Sequence, residues 1–268
     1  MDSLIARRLA IVTTTRCTLR CKLCSNFMPM FTEPEDVPYT EIIADIDHAF
    51  ELFDRVEWLQ FVGGEIFMNR CMADVYDYCL KYGGRFDKLV LMTNATLIPS
   101  KEELTALSRY GKKLEAQISD YGELSYKIKE TCEAYKSAGI SFQLKNYHGS
   151  AQHFGGWIDN TRFADSGETE AETQKRTAKC SQASNGRNMH ILRGRLYRCA
   201  VSCFMSELNI IQPDKRDFVD LNDGTVSIDE KRKTAKMFYK HPVQACRRCL
   251  WSETDTGKLQ RFPAAEQL

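Results

Sequence analysis

Short apolar runs alternate with longer, mixed segments along the first half of the chain. The runs at 9–12, 58–62, 89–92, 114–119 and 140–145 are each short enough for a strand. Helices are predicted between them by apolar residues that recur every three to four positions, most clearly over 39–53. Further helices are predicted over 71–80, after Pro99 and Ser100, and over 124–138. This alternation predicts βαβ units with a parallel sheet, and therefore an α/β fold.

The pattern changes after residue 145. The segment 146–179 has no strong periodicity, and we predict a loop or short helices near a substrate opening. His148, His153 and Arg162 are candidates for substrate contact there, or simply exposed loop residues. Farther on, the run 188–192, a turn at 193–195 and the run 196–199 predict a β-hairpin.

Composition excludes several classes of function. Lys plus Arg number 37 and Asp plus Glu number 36, for a net charge of +1, so no nucleic-acid partner is expected. No apolar stretch has the length of a signal peptide or a bilayer span, so no membrane partner is expected either. The 11 cysteines therefore indicate metal or thiol chemistry in a cytoplasmic, oxygen-poor setting.

The first cysteine group is Cys17, Cys21 and Cys24, directly after the first apolar run. Three thiolates on one loop can hold three irons of a 4Fe–4S cube and leave the fourth iron open. A zinc site would need a fourth ligand from elsewhere. Ordinary buried thiols are the third alternative, but Arg16, Arg20 and Lys22 make the loop too polar for a core strand.

Other polar motifs follow the later strands. Gly63, Gly64 and Glu65 end the second run, Thr93 and Asn94 end the third, and the fourth contains Ser119. Barrel-like α/β folds place their chemistry at these carboxyl ends of strands.

Together these motifs resemble those of the radical S-adenosylmethionine (SAM) enzymes, over most of the chain. The resemblance implies a partial (β/α) barrel in which the open iron binds SAM and the reduced cluster generates a 5′-deoxyadenosyl radical. It implies that Gly63 and Gly64 let the backbone approach the methionine end of SAM, and that Glu65 pairs with its ammonium. Thr93 and Asn94 match the third-strand motif, and Ser119 matches the ribose contact. Two departures are Leu23, where an aromatic residue is usual, and Ala95, where glycine is usual.

A second cysteine group lies in the last third of the chain. It comprises Cys180, Cys199 and the Cys-x2-Cys pair Cys246 and Cys249. From spacing alone, four thiolates suit zinc as well as iron. The arrangement resembles the twitch domain, a short form of the SPASM domain of radical SAM enzymes, and so implies a fully ligated auxiliary 4Fe–4S cluster. We therefore predict a radical SAM domain over 1–175 and a twitch-like domain over 176–268, formed by a hairpin and a helix.

Cys203 follows the hairpin and has three interpretations. It is a spare thiol, which we favour because buried free cysteine is common. Alternatively, it is a hydrogen-atom donor, as the resemblance to twitch-type epimerases allows, or a ligand in place of Cys199.

The expected reaction is two-electron oxidation of a sugar- or cyclitol-like alcohol, with the auxiliary cluster as electron acceptor. Epimerisation through Cys203 and radical modification of a ribosomal peptide are the alternatives. The expected partners are a small-molecule or peptide substrate and an electron donor such as flavodoxin or ferredoxin. A non-enzymatic iron–sulfur module would have no use for Gly63, Gly64 and Glu65.

Overall fold

The computed structural model of the chain describes residues 3–160, 163–178, 180–184, 188–256 and 259–268. Its first half alternates strands and helices as the sequence predicts. The strands are β1 (Ile5–Thr14), β2 (Arg55–Gly63), β3 (Phe86–Thr93), β4 (Leu114–Asp120) and β5 (Phe142–Asn146). The helices between them are α1 (Tyr39–Leu52), α2 (Met72–Cys79), α3 (Lys101–Ser108) and α4 (Ile128–Ser137).

The second half contains shorter elements. They are β6 (Trp157–Ile158), α5 (Glu170–Thr177), α6 (Ser181–Ser184), β7 (Met189–Leu192), β8 (Arg195–Tyr197), α7 (Ala200–Glu207), β9 (Phe218–Asp220), α8 (Ile228–Met237) and β10 (Arg261–Phe262). The predicted hairpin is β7–β8, and its turn residues Arg193 and Gly194 both have positive φ. Such a two-residue turn matches the twist of the strands it connects.

Eight strands of the described chain form one sheet in the order β5-β4-β3-β2-β1-β7-β8-β9. The first six are parallel, and β8 pairs antiparallel with both β7 and β9. The predicted α/β class with a parallel sheet is therefore confirmed, and the described sheet stays open rather than closing into a barrel. All carboxyl ends of β1 to β4 lie at one edge, which brings their polar motifs together.

Strands β7 to β9 continue this sheet, whereas β10 pairs with β6 in a separate two-stranded sheet. Strand β7 pairs directly with β1, with Met189 opposite Leu9 and Ile191 opposite Ile11. The predicted domain boundary at 175/176 falls inside α5. Among the described residues, no helix has the length and apolar character needed to cross a membrane.

Helix boundaries follow local capping. Ser100 caps α3 by accepting a hydrogen bond from the Glu103 backbone N–H, and the Glu103 carboxylate accepts one from the Ser100 N–H. Helix α4 begins four residues later than predicted because Gly122–Leu124 forms a separate 3-10 turn. Helix α5 lies in the segment predicted to be a loop or short helices, and Thr169 and Glu172 form its capping box.

Asp45 on α1 is a buried carboxylate that connects this helix to the β7–β8 turn. Its Oδ1 accepts a hydrogen bond from the Gly194 N–H at 2.8 Å, while Oδ2 has no partner among the described residues. Burial raises the pKa of Asp45 to about 7. The folded chain therefore binds this proton more tightly than the unfolded chain does.

We expect Asp45 to make the free energy of unfolding decrease as pH rises from about 4 to about 7, contributing about 1.4 kcal/mol for each pH unit in this range. Asp45→Asn should remove this contribution, because an amide does not ionise. Urea unfolding across this pH range measures it, and parallel pH profiles of the wild type and the variant would contradict it.

Candidate functional site

The loop with the first cysteine group is held by the end of β2. The Gly64 N–H donates to the Thr14 carbonyl and the Glu65 N–H to the Arg16 carbonyl, both at 3.0 Å. The Asn26 amide donates to the Gly63 carbonyl at 2.8 Å. The loop is therefore fixed at both ends to Gly63, Gly64 and Glu65, at and just after the end of β2.

The structure shows why both Gly63 and Gly64 must be glycine, which the motif alone does not explain. A Cβ on Gly64 would lie 1.9 Å from the Arg16 carbonyl oxygen and 2.9 Å from Cβ of Cys17. A Cβ on Gly63, which has φ +146°, would lie 2.0 Å from the Thr14 carbonyl oxygen. Only glycine permits this close approach, so the motif positions the cysteine loop, whatever ligand it contacts.

Glu65 is a buried carboxylate aimed into the site. It accepts hydrogen bonds from Thr93 Oγ1 at 2.9 Å and from the Asn94 N–H at 2.8 Å. Burial raises its pKa to about 7, against the effect of these hydrogen bonds. Its partners are neutral, and the described residues give it no ion pair. A cation bound beside Glu65 would therefore supply the ion pair that this buried carboxylate lacks.

The loop after β3 joins Glu65 to the cysteines. The Asn94 side-chain amide donates to Thr18 Oγ1 at 3.1 Å and lies 3.7 Å from Sγ of Cys17. Ala95 has φ +55°, the left-handed region that favours glycine. This backbone geometry gives a physical reason for the glycine that is usual at this position.

An aromatic wall, which the sequence did not predict, faces these groups. The rings of Tyr121 and Tyr147 lie 5.4 Å apart, and those of Tyr121 and Trp157 lie 5.8 Å apart, centre to centre. Leu23 lines the same space, as does Ser119 on β4. The wall therefore supplies aromatic surface near the position where Leu23 departs from the family pattern.

The cysteine loop, the ends of β2, β3 and β4, and the aromatic wall all contribute residues to the lining of one cavity of about 550 Å³. The predicted residues brought together there are Cys17, Cys21, Cys24, Gly63, Gly64, Glu65, Thr93, Asn94 and Ser119. Burial raises the pKa of Cys17 to about 12 and that of Cys21 to about 11. Iron would supply the positive charge that such thiolates need, and the buried Glu65 suits an ammonium. The residues therefore fit a cluster with bound SAM.

The second cysteine group also lines a single cavity, a small one of about 30 Å³. Cys180, Cys199, Cys246 and Cys249 all face it, together with Arg198. Within the described residues, no three His, Cys, Asp or Glu side chains are arranged to enclose a single metal ion. A set of four thiols beside a buried arginine fits a negatively charged thiolate centre.

Arg176, in the last turn of α5, holds the Cys-x2-Cys segment. Its guanidinium donates to the carbonyls of Cys246 at 2.7 Å and Cys249 at 3.0 Å, and pairs with Glu168 at 2.7 Å. The planar guanidinium group of Arg176 thus fixes the carbonyls of Cys246 and Cys249 at the same time.

We expect Arg176→Lys to weaken metal retention at the second site roughly tenfold, because an ammonium does not reproduce this planar group. Lys175→Ala, an exposed change on the same helix, is the matched control. The effect is measured as the rate at which a chelator removes iron or zinc from the second site. The first cysteine group is replaced in both chains, so that only the second site binds metal. Equal rates in the two variants would contradict it.

Trp251 lies between the two cavities and lines both. Its indole N–H donates to Ser181 Oγ at 2.9 Å, and its backbone N–H approaches Sγ of Cys249 at 3.3 Å. One aromatic side chain therefore borders the larger cavity on one side and the second cysteine group on the other.

Other candidates lie away from the larger cavity. Cys203 is fully buried on α7 in the main core and is not among the described residues that line either cavity, which favours the spare thiol. His148 pairs with Asp120 at 3.4 Å, and His153 packs against Tyr147, which does line the larger cavity. Arg162 lies outside the described residues.

Comparisons with known proteins give a similar fold and a partial sequence match. No family model matches the chain. The antilisterial bacteriocin subtilosin biosynthesis protein AlbA of Bacillus subtilis (strain 168) is 34% identical over 107 residues. This match covers 40% of the present chain and only 22% of AlbA.

Two solved structures match over most of their length. BtrN in complex with AdoMet and 2-DOIA has a TM-score of 0.51 at 11% identity, covering 100% of this chain and 98% of BtrN. Native anSMEcpe with bound AdoMet has a TM-score of 0.51 at 12% identity, covering 87% and 83%. At these identities the likeness concerns the fold.

Proposed function

We propose that this chain is a radical SAM enzyme. The observation that carries the proposal is the single cavity shared by three cysteine thiols and the buried carboxylate of Glu65. With a 4Fe–4S cluster and SAM bound, such a site supplies a 5′-deoxyadenosyl radical that abstracts a hydrogen atom from the substrate. The similar folds of BtrN and anSMEcpe, which are radical SAM enzymes, support the proposal.

The side chains have separate tasks in this proposal. Cys17, Cys21 and Cys24 hold the cluster, and Glu65 accepts hydrogen bonds from the SAM ammonium. Thr93 and the Asn94 N–H keep the Glu65 carboxylate in place. Ser119 contacts the ribose. An electron donor such as flavodoxin or ferredoxin supplies the reducing electron.

We further propose a two-electron oxidation of a sugar- or cyclitol-like alcohol. The alcohol carbon gives up its hydrogen atom, the hydroxyl gives up its proton, and one more electron must leave to form the ketone. The second cysteine group, with an auxiliary 4Fe–4S cluster, is the proposed acceptor, and Trp251 supports this by bordering both cavities. The short second group resembles that of the butirosin-pathway 2-deoxy-scyllo-inosamine dehydrogenase.

Modification of a ribosomal peptide is the second candidate function. The AlbA match supports it, since AlbA is named for the biosynthesis of a bacteriocin. The aromatic wall of Tyr121, Tyr147 and Trp157 is compatible with it, because aromatic rings pack well against apolar and aromatic side chains of a peptide.

Metal analysis and product analysis together test the proposal. Anaerobically reconstituted protein is expected to contain about eight irons and eight sulfides per chain. About four irons with one zinc would overturn the auxiliary cluster. With SAM, dithionite and 2-deoxy-scyllo-inosamine, oxidation predicts one ketone for each 5′-deoxyadenosine. A ketone-free reaction that instead modifies a peptide would establish the second candidate.

A further inference from the structure

The segment 264–268 pairs with the first cysteine loop, although some 240 residues separate them in sequence. The Lys22 N–H donates to the Glu266 carbonyl at 2.7 Å, and the Leu268 N–H donates to the Arg20 carbonyl at 2.9 Å. Cys21 and Gln267 face each other as an antiparallel bridge between these two hydrogen bonds. We call the segment 264–268 the strap.

Side chains of the strap also contact the loop. Ala265 is buried and forms a small apolar cluster with Leu19 and Cys21. The Gln267 side-chain amide donates to Sγ of Cys21 at 3.4 Å, and the same nitrogen donates to the Ala265 carbonyl at 2.6 Å. The hydrogen bond to the Ala265 carbonyl orients the Gln267 amide, so that its nitrogen stays next to Sγ of Cys21.

We propose that the strap positions the cysteine loop and that Gln267 is a positioning residue for the cluster sulfur of Cys21. This inference rests on the proposed function, because it concerns the cluster held by Cys17, Cys21 and Cys24. An N–H donor at a cluster sulfur stabilises the more negative, reduced state and therefore raises the reduction potential. Backbone pairing on both sides of Cys21 keeps the loop closed around its iron.

Gln267→Leu tests the side-chain amide as a whole, since leucine has a similar size but removes both the donor to Sγ of Cys21 and the Oε1 acceptor of the Arg20 N–H. We expect the reduction potential of the SAM-responsive cluster to become more negative, measured by EPR-monitored titration of the full, anaerobically reconstituted chain. Leu268→Ala is the control, because it changes an exposed side chain of the strap and keeps the backbone donor. An unchanged potential in Gln267→Leu would overturn the role of the amide.

Leu268→Pro tests the backbone pairing separately, because proline lacks the N–H that bonds the Arg20 carbonyl. We expect roughly tenfold faster iron loss from the first cluster to a chelator, compared with Leu268→Ala. Equal rates in these two variants would overturn the role of the strap. If the wild type forms no cluster whose EPR signal responds to SAM, the proposed function fails instead, so the two failures are distinguishable.

Discussion

Gly64→Ala is expected to dismantle the candidate SAM site and to lower the free energy of unfolding by about 3 kcal/mol. The new methyl group would lie 1.9 Å from the Arg16 carbonyl oxygen. That oxygen also accepts the hydrogen bond from the Glu65 N–H, so relief of the overlap must separate the cysteine loop from Glu65. Urea unfolding of the metal-free chain and SAM binding by the reconstituted chain measure the two effects.

Gly84→Ala is the matched control for this substitution. A Cβ on Gly84 meets nothing within 4 Å, and Gly84 has no positive φ. We expect it to unfold at the same urea concentration as the wild type or at a slightly higher one, because alanine restricts the unfolded chain. If Gly64→Ala were as stable as Gly84→Ala and bound SAM normally, the role of the close contact between Gly64 and the Arg16 carbonyl would be contradicted.

Glu65→Gln is expected to weaken SAM binding roughly a hundredfold while leaving the fold in place. A charge-assisted hydrogen bond to an ammonium contributes about 1.5–3 kcal/mol, and the amide keeps the shape but not the charge. Equilibrium dialysis of SAM against cluster-loaded protein measures the change. Glu57→Gln, a partly exposed change on β2, the strand that precedes Glu65, should bind SAM like the wild type.

The pH dependence of the metal-free chain offers an independent check on Glu65. Burial raises its pKa to about 7, so the folded state favours the protonated carboxyl. Stability contributed by this proton is expected to be present below about pH 4.5 and to be lost as pH rises through 7. Glu65→Gln should make that part of the profile less steep, with the contribution of Asp45 remaining, whereas an unchanged slope would contradict the burial of Glu65.

The sequence predicted the sheet well, and it placed the motifs of the first candidate site at one edge of that sheet, because both inferences depend on short-range patterns. Apolar runs mark β1 to β5, and the carboxyl ends of parallel strands meet at one edge, so the cysteine loop, Glu65 and Ser119 had to lie near one another. The segment 146–179 was predicted as a loop or short helices, but the position of α5 within it was not, since the apolar face of this helix is weak. The Thr169 to Glu172 capping box was the available signal.

Long-range contacts could not be predicted in the same way. Nothing in the residues 264–268 indicates that they pair with the cysteine loop, because a short extended segment carries no mark of its partner. Two further features likewise depend on how distant segments fold together. They are the position of Trp251 between two cavities and the hydrogen bond from Arg176 to the Cys246 carbonyl. The family resemblance implied that Glu65 pairs with SAM, but it did not show that the neighbouring glycines hold the cysteine loop.

Cleavage of SAM tests the central proposal most directly. The reconstituted chain, given SAM, dithionite and candidate substrates without oxygen, is expected to form 5′-deoxyadenosine. A variant with Cys17, Cys21 and Cys24 all changed to Ala should form none. No 5′-deoxyadenosine from the iron-loaded wild type, or equal amounts from the triple variant, would contradict the assignment of this cavity to radical SAM chemistry.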